Sequence, residues 1–211
     1  EGKYADFTMT EDERYELYLA GWLHDCGKVA TPPHVVDKGM KLETITDRIE
    51  TVDVRFEVLK RDAEIDMLKK QIDLMKNGTA NGEIEESENA FKEIIEKLTD
   101  EQEFIQKTNR GGEFMEEADQ KRVSDIGNYR WVSQGEEINF LDEKEVRNLQ
   151  IPKGTLLPEE REIINDHIVI TIDMLNKLPY PKNLRKIPEF AGGHHEKLDG
   201  TGYPKGLKDE E

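Results

Sequence analysis

The sequence predicts an all-α fold, and two patterns predict it. Apolar residues recur three and four apart in the stretches 46–76, 91–105 and 158–178, the spacing that lines one helix face. Helix start and stop signals punctuate the same stretches. Thr10-Glu11-Asp12-Glu13 and Thr99-Asp100-Glu101-Gln102 are capping boxes, and Asn77-Gly78 closes a run.

The first helix is predicted from Glu11 to about Asp25, with acidic residues in its first turn where the helix dipole favours them. Tyr15, Tyr18, Leu19, Trp22 and Leu23 are its expected buried face. Gly27 reads as its C-terminal stop, and Pro32-Pro33 as extended backbone beyond it. His24 and Asp25 then fall at the last turn of a core helix. His34 follows the prolines as a loop residue on the surface, and Cys26 reads as a small buried hydrophobe.

A long helix is predicted from Thr46 to about Lys76. Ile45, Ile49, Val52, Phe56, Leu59 and Ala63 keep a heptad rhythm, and Leu68, Ile72 and Met75 resume it after a register shift. Residues 77–88 read as a polar loop. Phe91, Ile94, Ile95, Leu98 and Ile105 mark a second amphipathic run, with a break expected at Thr99. The two runs form a helical hairpin, packed on itself or serving as a dimerising arm. Asn109-Arg110-Gly111-Gly112 is a turn, and a short helix follows over 113–125. Residues 127–150 look irregular, tied to the core by Trp131 and Phe140, with Asp142 capping a short helix to Leu149.

Pro158 suits the first turn of the next helix. That helix is expected to run to Leu178 and to carry His167 among Ile163, Ile164, Ile168 and Thr171, on its core side. A last helix from Pro188 to about Glu196 delivers His194 and His195, and Gly200, Gly202 and Pro204 shape the turn after it.

Bulk composition narrows the function. The net charge of −17 argues against long nucleic acids as partners. One cysteine excludes an internal disulfide and fits a reducing compartment. No apolar run approaches the roughly 20 residues of a membrane span, and no signal peptide is visible. The chain opens without methionine and stops in an acidic run, like a piece of something longer.

Imidazoles with a carboxylate bind divalent metals such as iron, manganese or zinc. The adjacent His24 and Asp25 offer nitrogen and oxygen from one helix end, and Asp25 has two oxygens with which to bridge. Two such metals can clamp both oxygens of an in-line displacement at phosphorus. Lys28, one turn beyond His24, could neutralise phosphate charge. Taken singly, His167 reads as a hydrogen-bonded core histidine before a ligand, and Lys28 as a solvated side chain.

Leu23-His24-Asp25-Cys26-Gly27-Lys28-Val29 resembles the His-Asp-x-Gly-Lys motif of the HD superfamily of metal-dependent phosphohydrolases. His194-His195-Glu196 with Asp199-Gly200-Thr201-Gly202-Tyr203-Pro204 resembles the signature of its HD-GYP subgroup, and Gly154 through His167 is similar to the helix supplying the family's middle histidine. The resemblance implies an HD-type helical domain over 1–44 and 151–211, lacking the family's first and last helices, with a long helical-hairpin insertion over 45–150. It implies His24, Asp25, His167, His194 and His195 as ligands of two or three divalent ions, iron or manganese, with Asp25 bridging and catalytic. Lys28 would contact substrate phosphate, and Asp199, Gly202, Tyr203 and Pro204 would shape the substrate or protein-partner surface.

The implied activity is cytoplasmic hydrolysis of cyclic di-GMP to the linear dinucleotide or GMP in bacterial signalling. The parent protein could be anchored to a membrane through another segment, and a homodimer could form through the insertion. A non-catalytic module binding the nucleotide or a partner is the alternative, as is a phosphohydrolase for another cyclic nucleotide. The piece itself is expected to have little activity, because two ligand-bearing family helices fall outside it.

Overall fold

The computed structural model describes residues 7–77 and 81–208. In chain order they form α1 (Glu11–Leu23), a 3-10 turn (Cys26–Ala30), α2 (Pro33–Val36), α3 (Ile49–Lys76), α4 (Asn81–Asn109) and α5 (Glu117–Gly127). A hairpin of β1 (Arg130–Ser133) and β2 (Glu136–Asn139) follows, then α6 (Glu143–Leu149), α7 (Pro158–Asn165), α8 (His167–Asn176), a 3-10 turn (Lys182–Leu184) and α9 (Ile187–Gly192). The fold is helical apart from that hairpin among the described residues. The chain divides into two units, one made of residues up to Val36 with those from Pro158 onward, the other of Asp37–Leu157.

In the first unit, Thr10 closes both halves of the expected capping box with Glu13. The buried face of α1 differs from expectation. Tyr15, Tyr18 and Trp22 are exposed, Trp22 at 73%. Glu16 and Ala20 are buried instead, and Leu19 and Leu23 pack beside Leu175, Ile187 and Ala191. Periodicity marks an apolar stripe without saying which of two adjacent stripes meets a neighbour. Here the contact is made by small Ala20 and Ala191, and the Glu16 carboxylate accepts the backbone N–H of Lys186 at the start of α9 at 2.6 Å.

Three further expectations are corrected here. Pro33 starts α2 rather than extended chain, so His34 is on a helix, although exposed as expected. The predicted helix 158–178 is two helices, α7 and α8, meeting at Asp166. The last helix stops at Gly192, so His194 and His195 lie in the turn after it.

The second unit is built on α3 and α4. They run antiparallel, as pairs at both ends of the hairpin show: Gln106 donates to Asp53 at 2.9 Å, Lys60 to Gln102 at 2.7 Å and Gln71 to Glu88 at 3.4 Å. Val52 and Phe56 of α3 and Ile105 of α4 are buried with Val123, Ile126, Phe140 and Leu149. The Phe56 and Phe140 rings meet edge to face at 4.6 Å, so Phe140 anchors its segment as expected, with Trp131 partly buried against the same core.

Helix α4 corrects two readings. It already begins at Asn81, so only Asn77 of the described part of the expected loop 77–88 lies outside a helix; residues 78–80 fall outside the described residues. It also passes through Thr99 unbroken. The Thr99 hydroxyl donates to the Ile95 carbonyl one turn back at 2.8 Å, a bond available to Thr inside a helix. Ile45 precedes α3 and is 92% exposed, and Leu68, Ile72 and Met75 are exposed as well.

Residues 130–139 form a two-stranded hairpin where irregular chain was expected, with Arg130 opposite Asn139 and Ser133 opposite Glu136. Gln134 and Gly135 both take positive φ, 54° and 85°, which is the primed turn that matches strand twist. The short helix expected over 113–125 is α5, displaced to 117–127. Asp142 caps α6 as expected, in a full capping box with Glu145. Glu145 is wholly buried and also takes a forked pair from Arg55 at 2.7 and 3.2 Å.

Candidate metal centre

All five expected ligands lie in the first unit and come together. Helix α1 ends at His24, and Asp25 opens the 3-10 turn that follows. Gly27 is not a left-handed helix stop. It is buried where a Cβ would lie 2.1 Å from the His167 carbonyl oxygen and 2.6 Å from the Thr171 backbone nitrogen. Its hydrogen-only side therefore lets the His24-Asp25 turn touch α8. Thr171 fastens the contact: its hydroxyl accepts the Gly27 N–H at 2.9 Å and donates to the His24 carbonyl at 3.2 Å.

Three imidazoles are aimed by one device. Nδ1 of His24 lies 2.6 Å from the Gly21 carbonyl, Nδ1 of His167 2.5 Å from that of Ile164, and Nδ1 of His194 2.6 Å from that of Ala191. Each partner is the carbonyl three residues back. A carbonyl only accepts, so each Nδ1 carries the proton and each Nε2 keeps a lone pair. Backbone carbonyls orient metal-binding histidines in this manner.

The three Nε2 atoms surround Asp25. His24 Nε2 is 3.2 Å from Oδ2, His167 Nε2 3.1 Å from Oδ1, and His194 Nε2 3.7 Å from Oδ1. The His195 ring is 4.2 Å from that of His194 and 5.4 Å from that of His167, centre to centre. Two groups of donors result, His167 with His194 and His195, and His24 with Asp25 and His194.

A divalent cation fits this set. Asp25 Oδ1 and His167 Nε2 are both buried and both without a hydrogen-bond partner. They are two acceptors facing each other at 3.1 Å, an arrangement that burial penalises unless a positive charge is shared between them. Ionisation agrees. Burial works against the Asp25 charge, but its hydrogen bond from Lys28 and the nearby His24, Lys28 and His167 outweigh it and hold the carboxyl below its usual range. Burial pushes His195 down, helped by His194 and His167, which favours the neutral ring that ligates.

The other expected site residues surround this centre in different ways. Lys28 is paired with Asp25, Nζ to Oδ2 at 2.8 Å. Tyr203 stacks on His195, with ring centres 4.6 Å apart and planes 13° apart. Gly202 sits where a Cβ would lie 2.4 Å from the Glu196 Cα, and Pro204 follows a cis peptide bond. Asp199 is turned to its own loop, its Oδ1 accepting from the Thr201 N–H at 2.8 Å and hydroxyl at 2.6 Å.

Two residues escaped the sequence reading. Thr171 bolts the turn to α8, as described. Glu196 holds the loop, its two oxygens accepting the N–H groups of Lys205 at 2.7 Å and Leu207 at 2.9 Å. The only signals were Thr171 one turn after His167 and Glu196 next to the histidine pair.

Comparison with known proteins bears on the C-terminal part of this centre. Residues 144–211 match the model of a family described as HD domain. A cyclic di-GMP phosphodiesterase of Thermotoga maritima is 45% identical over 58 residues, 28% of this chain and 16% of that protein. A 3'3'-cGAMP-specific phosphodiesterase 3 of Vibrio cholerae is 35% identical over 82 residues, 38% of this chain and 17% of that protein. The chain thus spans under a fifth of the length of these relatives. No solved structure matches it significantly. No helix among the described residues is long and apolar enough to cross a membrane. The histidine pair and the Gly-Tyr-Pro loop lie inside the matched segment, so it is residues 144–211 that carry the likeness to an HD domain.

Proposed function

We propose that this domain hydrolyses a phosphodiester bond of a cyclic dinucleotide, with cyclic di-GMP as substrate and the linear dinucleotide or GMP as product. The observation that carries the reading is the facing pair Asp25 Oδ1 and His167 Nε2, buried and without partners. His24, Asp25, His167, His194 and His195 would hold the divalent ion or ions, iron or manganese, two or three in number. When bound, such ions supply Lewis acidity at a phosphoryl oxygen and activate water.

The chain's own groups do the positioning. The three backbone-anchored imidazoles present fixed lone pairs, so little reorganisation is needed on binding. Asp25, held ionised by Lys28 and its histidine neighbours, offers one oxygen toward each donor group. Lys28 lies beside the same carboxylate, where its ammonium neutralises charge on a non-bridging phosphate oxygen. Tyr203, fixed against His195, forms one wall of the substrate surface, with Gly202 and Pro204 shaping its loop. Asp199 acts through that loop.

The similarity to a cGAMP-specific enzyme supports a second substrate, 3'3'-cGAMP, at the same site. The test is to load the parent protein that carries this domain with manganese or iron, measure the bound metal, and follow release of linear dinucleotide from each substrate by chromatography. Turnover that disappears in Asp25→Ala is the expected result. Nucleotide binding without turnover, in a sample shown to hold its metal, would make this a binding module instead.

A further inference from the structure

The unit Asp37–Leu157 carries a cavity of about 380 Å³ between the end of α4 and the segment leading to α5. That volume is within the range of small-molecule sites. Phe104, Phe114 and Met115 give it apolar walls, and Lys41, Lys107 and Arg110 bring cations to it. Of the two acidic residues that also line it, Glu113 is paired with Lys107 at 3.0 Å. The other is Asp119.

Lys41 is the unusual member. It is 2% exposed, and its ammonium donates to the carbonyls of Leu149 at 2.9 Å and Ile151 at 2.8 Å. Its third proton has only the Met115 sulfur, at 4.0 Å, and a thioether is a weak acceptor. No carboxylate pairs with it among the described residues, and burial pushes the ammonium down to about 8. The Arg110 side chain, exposed beside it, likewise has no carboxylate partner among the described residues. Acidic residues outnumber basic ones 47 to 30 in this chain, and Asp119 also lines the cavity, yet neither Lys41 nor Arg110 is paired with a carboxylate among the described residues, which leaves two cations at one cavity open to an anionic ligand. A buried charge without a counter-charge is costly.

We propose that this cavity binds a small organic anion, a carboxylate or phosphate on an aromatic or aliphatic body. Arg110 and Lys41 take its charge, and Phe104, Phe114 and Met115 take its body. The site lies wholly within Asp37–Leu157 and does not depend on the reaction assigned to the histidine centre.

Gly112 makes the test clean. Gly112 lines the cavity and a Cβ there would meet nothing within 4 Å, so Gly112→Phe adds bulk at the cavity lining with no clash at its Cβ. The assay is a titration of phenylacetate, phenyl phosphate and uncharged benzyl alcohol, read on the Met115 methyl resonance, which Met115→Leu assigns. At least one anion should shift that resonance saturably, and which one responds tells carboxylate from phosphate. Benzyl alcohol should bind roughly tenfold more weakly, Arg110→Gln should weaken the anion by about the same factor, and Gly112→Phe should abolish the shift. No saturable shift up to about 10 mM, a concentration that only the weakest binding needs, would overturn the proposal. So would benzyl alcohol binding as well as the anions. Should Gly112→Phe fail to fold, the exposed Arg110→Gln variant decides, because unchanged affinity there removes the anion site.

Discussion

Gly27→Ala is a one-carbon change whose consequence the structure lets us size. The new Cβ would lie 2.1 Å from the His167 carbonyl oxygen and 2.6 Å from both the backbone nitrogen and the hydroxyl of Thr171. Two of those three atoms are backbone, so no rotamer change relieves the clash, and the 3-10 turn must separate from α8. Overpacking a tight contact costs about 1–3 kcal/mol. Loss of the bond from the Gly27 N–H to Thr171 adds about 1 kcal/mol. The sum, about 2–4 kcal/mol, corresponds to a fall in Tm of roughly 5–15 °C for a chain of this length. The same displacement pulls His24 and Asp25 away from His167, so manganese affinity should fall at least about tenfold. Calorimetry and metal titration on wild type, Gly27→Ala and Thr171→Ser report both effects. Thr171→Ser keeps the hydroxyl and should keep the metal. A Gly27→Ala protein with unchanged Tm and unchanged metal affinity would refute the close-contact argument.

Other perturbations probe separate parts of the molecule. Lys41 is held at about 8 in the folded protein and near 10.4 when unfolded. Between those values the unfolded chain carries more protons, so Lys41 makes stability rise with pH from about 8 to about 10.4, by up to ~3 kcal/mol. Denaturant curves should show that rise lost in Lys41→Met, and a difference between the two proteins that stays flat with pH would contradict it. Glu145→Ala strips Arg55 of its forked partner and opens the α6 capping box, and removing one member of such a buried pair costs about 3–5 kcal/mol. Loss of under about 1 kcal/mol in chemical denaturation would show that the pair is not holding this core. Glu196→Ala frees the Lys205 and Leu207 N–H groups, so amide exchange in the Gly-Tyr-Pro loop should speed up at least about tenfold, a loss of roughly 1.4 kcal/mol of local protection. Unchanged exchange would assign the loop's order to other contacts.

Much of this was legible in the chain, for identifiable reasons. The capping box at Thr10, the helix cap at Asp142 and the Val52–Phe56 stripe are local signals, and these survive folding. The cluster of His24, Asp25, His167, His194 and His195 was legible because the motifs name these residues, and their side chains do come together. What failed depended on a distant partner. Which face of α1 is buried was decided by Ala191 on α9, so Trp22 was misplaced. The purpose of Gly27 was decided by Thr171, 144 residues away. Thr99 resembled a helix start because its sequence suits both a cap and a helix interior, and the continuity of α4 selected the second. The Gln134-Gly135 turn lacks the Asn-Gly or Asp-Gly signature, and its four-residue strands are too short for alternation to stand out.

Anomalous diffraction from crystals grown with manganese tests the centre most directly. The histidine–aspartate cluster should show at least one peak roughly 2.0–2.3 Å from Nε2 of His167 and a carboxylate oxygen of Asp25. Crystals that show the cluster intact but empty, with Asp25 Oδ1 bonded only to a protonated His167, would contradict the account.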